Sequence, residues 1–176
     1  MKTFEELGVN EAIRSAILEL GFEHPMPVQE EVIPYLLGEN NDVIALAQTG
    51  TGKTAAYGIP VLQKTDATKK ATQALILSPT RELCLQIADD LKGFGKYIDG
   101  LHVVAVYGGA SIITQIHELK HGAQIIVATP GRLIDLMERG VVKLENVRNV
   151  VLDEADEMLN MGFSDSINTI FEAVPA

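Results

Sequence analysis

The stretch Ala47-Gln48-Thr49-Gly50-Thr51-Gly52-Lys53-Thr54 gathers two glycines, three threonines and one lysine into eight residues. With Ala47 in the position of the first glycine, it fits the G-x-x-x-x-G-K-T pattern of a phosphate-binding loop. Gly50 and Gly52 let the backbone approach a phosphate, and successive N–H groups there converge on its oxygens. Lys53 is expected to reach the terminal phosphates of a nucleotide, and the Thr54 hydroxyl to ligate Mg²⁺. A helix starting near Lys53 adds the positive end of its dipole. The competing interpretation is a Gly-rich turn.

Val150-Val151-Leu152-Asp153-Glu154 is the companion that such a loop needs. It is an apolar strand ending in carboxylates, so Asp153 at the strand tip is expected to hold Mg²⁺ opposite Thr54. Glu154 is expected to orient and deprotonate an attacking water. Taken alone, the acidic pair would read as a solvated helix start. A second chemical pattern competes. His117-Glu118-Leu119-Lys120-His121 satisfies H-E-x-x-H, in which two histidines one helical turn apart bind Zn²⁺. Glu138 or Glu145 would have to supply a third ligand, and a solvated helix face explains the segment equally well.

The elements that must position these residues alternate along the chain. Short apolar runs at 43–47, 73–77, 102–106, 124–128 and 147–152 predict strands. Helical periodicity marks 10–20, 27–37, 53–63, 81–97, 111–121, 130–139 and 164–173, while Gln63 to Ala71 predicts an exposed loop. Continuous β-branched runs separated by helices indicate an α/β fold. The expected sheet is parallel, of about five or more strands, with helices on both faces. Ligands of such sheets sit at the carboxyl ends of the strands. The loops there read AQTGTGKT, SPTREL, YGGAS, ATPGR and DEAD, so five conspicuous loops are expected along one edge.

Composition sets the outer limits. The chain has 176 residues, 47% hydrophobic and 22% charged, which suits one domain with a sizeable core. No stretch approaches the roughly 18 uninterrupted apolar residues of a membrane span. The N-terminus, Met1-Lys2-Thr3-Phe4-Glu5-Glu6, lacks the apolar core of a signal peptide. The single cysteine, Cys84, excludes an internal disulfide and fits a reducing compartment, so a cytoplasmic protein is expected. A net charge of −10 argues against a general positive sheath for nucleic acid. The acid is uneven, however: Asp153, Glu154, Asp156, Glu157, Asp165 and Glu172 fall in 153–176 with no Lys or Arg. A local anion site elsewhere stays open.

Asp153-Glu154-Ala155-Asp156 spells DEAD, and nearly the whole chain resembles the N-terminal RecA-like domain of a DEAD-box ATP-dependent RNA helicase. Gly21-Phe22-x-x-Pro25-x-x-x-Gln29 looks like the adenine-reading Q motif, with Phe4 at the spacing of its upstream aromatic. The phosphate loop, Pro79-Thr80-Arg81-Glu82-Leu83, Gly108-Gly109, Thr129-Pro130-Gly131-Arg132 and DEAD follow in the family's order. The resemblance implies a RecA-like P-loop fold with ATP and Mg²⁺ as cofactors. ATP would be held by Phe4, Phe22, Gln29, Gln48, Thr49, Gly50, Thr51, Gly52, Lys53 and Thr54. Lys53, Asp153 and Glu154 would be catalytic, and Thr54 and Asp153 would hold the metal. Gln29 carries a donor and an acceptor suited to the N6 and N7 edge of adenine. Pro79, Thr80, Arg81, Gly108, Gly109, Thr129, Pro130, Gly131 and Arg132 would form an RNA track that follows backbone shape, not base sequence. Asp156 would couple to a second RecA-like domain.

Two departures from the family pattern carry expectations. Met26 stands where the family commonly has Thr or Ser, so a hydroxyl that could cap the helix or tie the Q motif to the phosphate loop is lost. A modestly lower nucleotide affinity is expected. No Ser-Ala-Thr follows DEAD before Ala176, and the second RecA-like domain that the resemblance implies, with its arginine fingers and half of the RNA track, is not in these 176 residues. They are therefore expected to bind nucleotide, to bind RNA weakly and to hydrolyse ATP poorly on their own. Rival interpretations are another P-loop ATPase acting on DNA or protein, and a non-enzymatic adaptor binding RNA or a partner.

Overall fold

The computed structural model describes residues 2–38 and 51–175. The predicted strand at 43–47, and with it Ala47, Gln48, Thr49 and Gly50, lies outside the described residues. The chain divides into two compact units, residues 1–65 with 89–100 and residues 66–88 with 101–176.

The first unit is helical. Helix α1 (Glu11–Glu19) begins at Asn10, whose side-chain oxygen accepts the Ile13 N–H at 3.0 Å, and it buries Ile13, Ala16 and Ile17. Helix α2 (Pro27–Leu37) opens with proline at its first position, where the missing N–H costs nothing. Helix α3 (Thr51–Lys64) follows. Gln63 near its end accepts the Asn10 N–H at 2.9 Å and donates to the Gly8 carbonyl at 2.8 Å, which ties the N-terminal segment to α3. The last residues of helix α4 (Arg81–Phe94) complete this unit. Gly58 makes the contact between α3 and that segment, since a Cβ there would lie 2.7 Å from Leu91. Glycine at position 58 thus leaves room for the Leu91 side chain.

The second unit holds the sheet. Strands β1 (Ala74–Leu77), β2 (Val103–Val106), β3 (Ile125–Ala128) and β4 (Asn149–Leu152) are all parallel, in the order β2-β3-β1-β4. Every residue of β1 and β3 is buried. That is why these strands read as unbroken apolar runs and not as alternating ones. Strand β4 lies at an edge among the described strands and is only partly buried throughout. Helices α5 (Ile112–Lys120), α6 (Pro130–Glu138), α7 (Ala155–Asn160) and α8 (Ser164–Ala173) accompany the strands. Leu133 and Leu136 of α6, Met158 of α7, and Ile167 and Ile170 of α8 share a core with Leu75, Val104 and Ile126.

The strands are shorter than the apolar runs by one or two residues, and α4 stops at Phe94, before the expected 97. Gly95 is where the helical pattern loosens into turns, with Lys96 N–H bonded to the Gly93 carbonyl and Ile98 N–H to Gly95. Periodicity does not predict α7, because six residues are too few to display it.

Candidate functional site

In the first unit the candidate residues meet where α2 and α3 begin. Met26 precedes α2 in extended conformation, at φ −75° and ψ 160°. Its side chain offers no oxygen to cap the helix. Gln29, fully buried, compensates from the third helical position: its Oε1 accepts the Met26 N–H at 2.9 Å. Its Nε2 donates to the Gly52 carbonyl at 3.1 Å. Gln29 therefore ties the start of α2 to the residues just before Lys53, without help from a hydroxyl at position 26. Met26 packs on the same point, since a Cβ on Gly52 would sit 2.5 Å from Met26 Sδ. Met26 is half-exposed and its thioether is flexible, so this contact by itself does not require glycine at 52.

Thr51 opens α3, Lys53 is half-buried in its first turn, and Thr54 is buried. The Thr54 hydroxyl is hydrogen-bonded to the Asp90 carboxylate of α4. Burial raises the Asp90 pKa most and the neighbouring Asp89 charge raises it further, while the Thr54 hydrogen bond opposes both. The second Asp90 oxygen is buried without a hydrogen-bond partner. Phe22 meets Phe94 edge to face, with ring centroids 5.8 Å apart. Phe4 is only 5% exposed, so in this arrangement most of its ring surface is already covered by protein.

The second unit aligns the other candidates through strand register. Leu77 of β1 is level with Ala128 of β3 and with Leu152 of β4, and Val106 of β2 is level with Ala128. Four parallel strands therefore end together. The residues that follow them are Pro79-Thr80-Arg81, Tyr107-Gly108-Gly109, Thr129-Pro130-Gly131-Arg132 and Asp153-Glu154. Thr80 starts α4, its hydroxyl accepting the Leu83 N–H at 3.2 Å. Thr129 precedes α6 without using its hydroxyl as a cap, and Pro130 takes the first helical position. Gly109 has φ +82°, which favours glycine, but Gly108 and Gly131 do not have positive φ. A Cβ at Gly108 or Gly131 would meet nothing within 4 Å. Neither chain conformation nor packing among the described residues accounts for glycine at these two positions, and the open space leaves their backbone approachable.

Asp153 is buried, and its N–H bonds the Leu77 carbonyl at 2.9 Å, continuing the ladder past the strand end. Glu154 is the single non-glycine with positive φ among the described residues, at φ 56° and ψ 48°. A left-handed conformation there costs of order 1–3 kcal/mol, and such outliers cluster at functional sites. Asp156 is exposed in the first turn of α7.

The H-E-x-x-H segment folds differently from a zinc site. Helix α5 ends at Lys120, so His121 is its cap, and the rings of the exposed His117 and His121 meet edge to face with centroids 5.3 Å apart. Among the described residues no three His, Cys, Asp or Glu side chains gather as a metal would need.

The chain matches the family model described as DEAD/DEAH box helicase over residues 26–176. The chain belongs to the DEAD/DEAH box helicase family. It is 48% identical over 173 residues to the ATP-dependent RNA helicase DeaD of Haemophilus influenzae, covering 98% of this chain and 28% of that protein. It is 49% identical over 176 residues to the DEAD-box ATP-dependent RNA helicase CshA of Geobacillus kaustophilus, covering all of this chain and 37% of that one. A DEAD box protein from the hyperthermophile Methanococcus jannaschii superposes with a TM-score of 0.92 at 42% identity, over 98% of this chain and 47% of that chain. The chain therefore spans about a third of the curated relatives and about half of the solved structure. The parallel sheet with its helices is the RecA-like fold of DEAD-box helicases, with four strands among the described residues where the sequence predicts about five or more.

Three residues escape the sequence patterns. Tyr107, Gln115 and Asp90 each bond or stack with a predicted site residue. Gln115 alone has a legible signal. It shares a helical stripe with Ile112, Ile116 and Leu119, and an amide on an apolar stripe is normally held by a specific partner.

Proposed function

We propose that this DEAD-box chain is the ATP-binding and RNA-binding lobe of an ATP-dependent RNA helicase, which works with a second RecA-like domain to separate short RNA duplexes. The observation that carries this is the common end of four register-aligned strands, from which four of the family's motif segments emerge along one sheet edge. Thr54 and Asp153 offer the hard oxygen donors that Mg²⁺ takes, and Lys53 offers a cation to phosphate. Mg-ATP, when bound, supplies the phosphoryl group that passes to water. Lys53 holds the phosphates, Glu154 takes the proton of the attacking water, and Gln29 keeps one amide hydrogen and one lone pair that the adenine edge reaches once nucleotide binding uncovers this fully buried amide. Thr80, Arg81, Thr129 and Arg132, with the backbone at Gly108, Gly109 and Gly131, follow an RNA backbone. Asp156, exposed beside Glu154, faces the second domain in this proposal. Among the described residues no helix is long and apolar enough to cross a membrane, and we assign the protein to the cytoplasm.

The test is calorimetry of the chain with Mg-ADP and Mg-GDP, paired with fluorescence anisotropy of labelled single-stranded RNA. Preference for the adenine nucleotide together with salt-sensitive, sequence-independent RNA binding is expected. Absence of nucleotide binding would overturn the proposal.

A further inference from the structure

Gln115 sits on the buried face of α5, only 4% exposed, and uses both ends of its amide. Its Oε1 accepts the Tyr107 N–H at 3.3 Å and its Nε2 donates to the Tyr107 carbonyl at 3.1 Å. One side chain thus pairs both backbone groups of the residue that precedes Gly108-Gly109. The same Oε1 accepts a hydrogen bond from Arg132 Nη1 at 2.9 Å. Arg132 then reaches the Ala110 carbonyl with Nη1 and Nη2, at 3.2 Å each. The loop between Tyr107 and Ala110 is therefore held at its first residue by Gln115 and at its last by Arg132. Arg81 lies over the Tyr107 ring, its guanidinium carbon 5.2 Å from the centroid.

We infer that Gln115 is a positioning residue for RNA binding: it clamps Tyr107 and aims Arg132, and so presents the Gly108-Gly109 backbone, Arg81 and Arg132 as one rigid surface. The inference rests on the RNA track proposed above. Gln115 itself is too buried to touch RNA and acts through the two elements it joins. Its amide is suited to this because it is neutral. A carboxylate in its place would repel the Tyr107 carbonyl, and an apolar side chain would take both partners from the backbone of the half-buried Tyr107. Arg132 keeps unused N–H donors after bonding Ala110 and Gln115, so a phosphate oxygen can be added without breaking the clamp.

The test is a double-mutant cycle on the chain, using fluorescence anisotropy of a fluorescein-labelled oligouridylate at fixed salt, with circular dichroism melts to establish that each variant folds. Gln115→Met, close to isosteric, is expected to weaken RNA binding about tenfold, the scale of one lost hydrogen bond to a charged group. Arg132→Met alone should weaken it by a similar or larger factor. In the Arg132→Met background, Gln115→Met should add less than about threefold, because residues that act through one another are not additive. Full multiplication of the two effects would overturn the inference, as would unchanged RNA binding by Gln115→Met. Should Gln115→Met fail to fold, Gln115→Glu repeats the cycle: it keeps the acceptor toward Arg132 and loses the donor toward Tyr107. Loss of RNA binding with Arg132→Met but not with either Gln115 variant would overturn the inference alone. Indifference of RNA binding to Arg132→Met would instead overturn the RNA track.

Discussion

Replacing Gln29 by alanine removes the side chain that hydrogen-bonds the start of α2 to the backbone before Lys53. Two hydrogen bonds disappear, from Met26 N–H at 2.9 Å and to the Gly52 carbonyl at 3.1 Å. Because Gln29 is fully buried, water is not at hand to take over either group. Each intramolecular hydrogen bond contributes about 0.5–1.5 kcal/mol net, and a buried group left unpaired costs about 1–3 kcal/mol. Met26 N–H lies at a helix start that has no other cap, which keeps its loss near the upper value. Together the expected destabilisation is about 2–4 kcal/mol, or a fall in Tm of roughly 5–15 °C for a chain of this size. Gln29→Glu separates the two bonds, since it keeps an acceptor for Met26 N–H and sets a carboxylate against the Gly52 carbonyl. It should destabilise as much as alanine or more, through a buried charge facing a carbonyl. Thermal melts by circular dichroism measure the first effect, and titration with Mg-ADP and Mg-GDP measures any change in base preference. A Gln29→Ala variant within about 0.5 kcal/mol of the parent would refute the structural tie, whatever its nucleotide preference.

Lys53→Ala should weaken Mg-ATP binding about 10- to 100-fold with the fold intact, the range for a hydrogen bond to a charged group; calorimetry showing equal affinity would remove the phosphate-loop assignment. Glu154→Gly relieves a left-handed backbone and should raise stability by about 1 kcal/mol in urea titrations of this chain, while abolishing phosphate release when placed in a chain that carries the second RecA-like domain; a less stable variant would show that Glu154 is not strained. Burial pushes the Cys84 thiol up to about 12, against 9.0 for an exposed thiol, with the Ser78 hydroxyl lowering it in part. The native state therefore holds this proton more tightly than the unfolded chain. Its contribution to stability is fully present below about pH 9 and is lost as pH rises toward 12. Labelling by a disulfide reagent at pH 8 should track global unfolding, and reaction at the rate of an exposed thiol would contradict the buried site.

What could be read from the sequence follows from how each feature is built. The strands are legible to within two residues because β1 and β3 are buried on both faces, which forces runs such as Ala74-Leu75-Ile76-Leu77. The helix starts at Pro27, Arg81 and Pro130 are legible because prolines, threonines and the strand ends mark them locally. The loops at 79–81, 108–109, 129–132 and 153–154 can be assigned to one edge from the order of apolar runs and helices, since parallel strands all point the same way. What stays hidden depends on pairs that are distant in sequence. Gln29 meets Gly52 across 23 positions, Gln115 meets Arg132 across 17, and Thr54 meets Asp90. Periodicity carries no trace of such a pairing. The left-handed Glu154 is hidden for another reason: glycine would have announced it, and a glutamate there reads as helix. A glycine would suit that backbone better, so the glutamate is the residue whose presence needs a chemical explanation. In the function proposed here that explanation is proton transfer at the end of β4, and Glu154→Gly separates the two demands by trading one for the other.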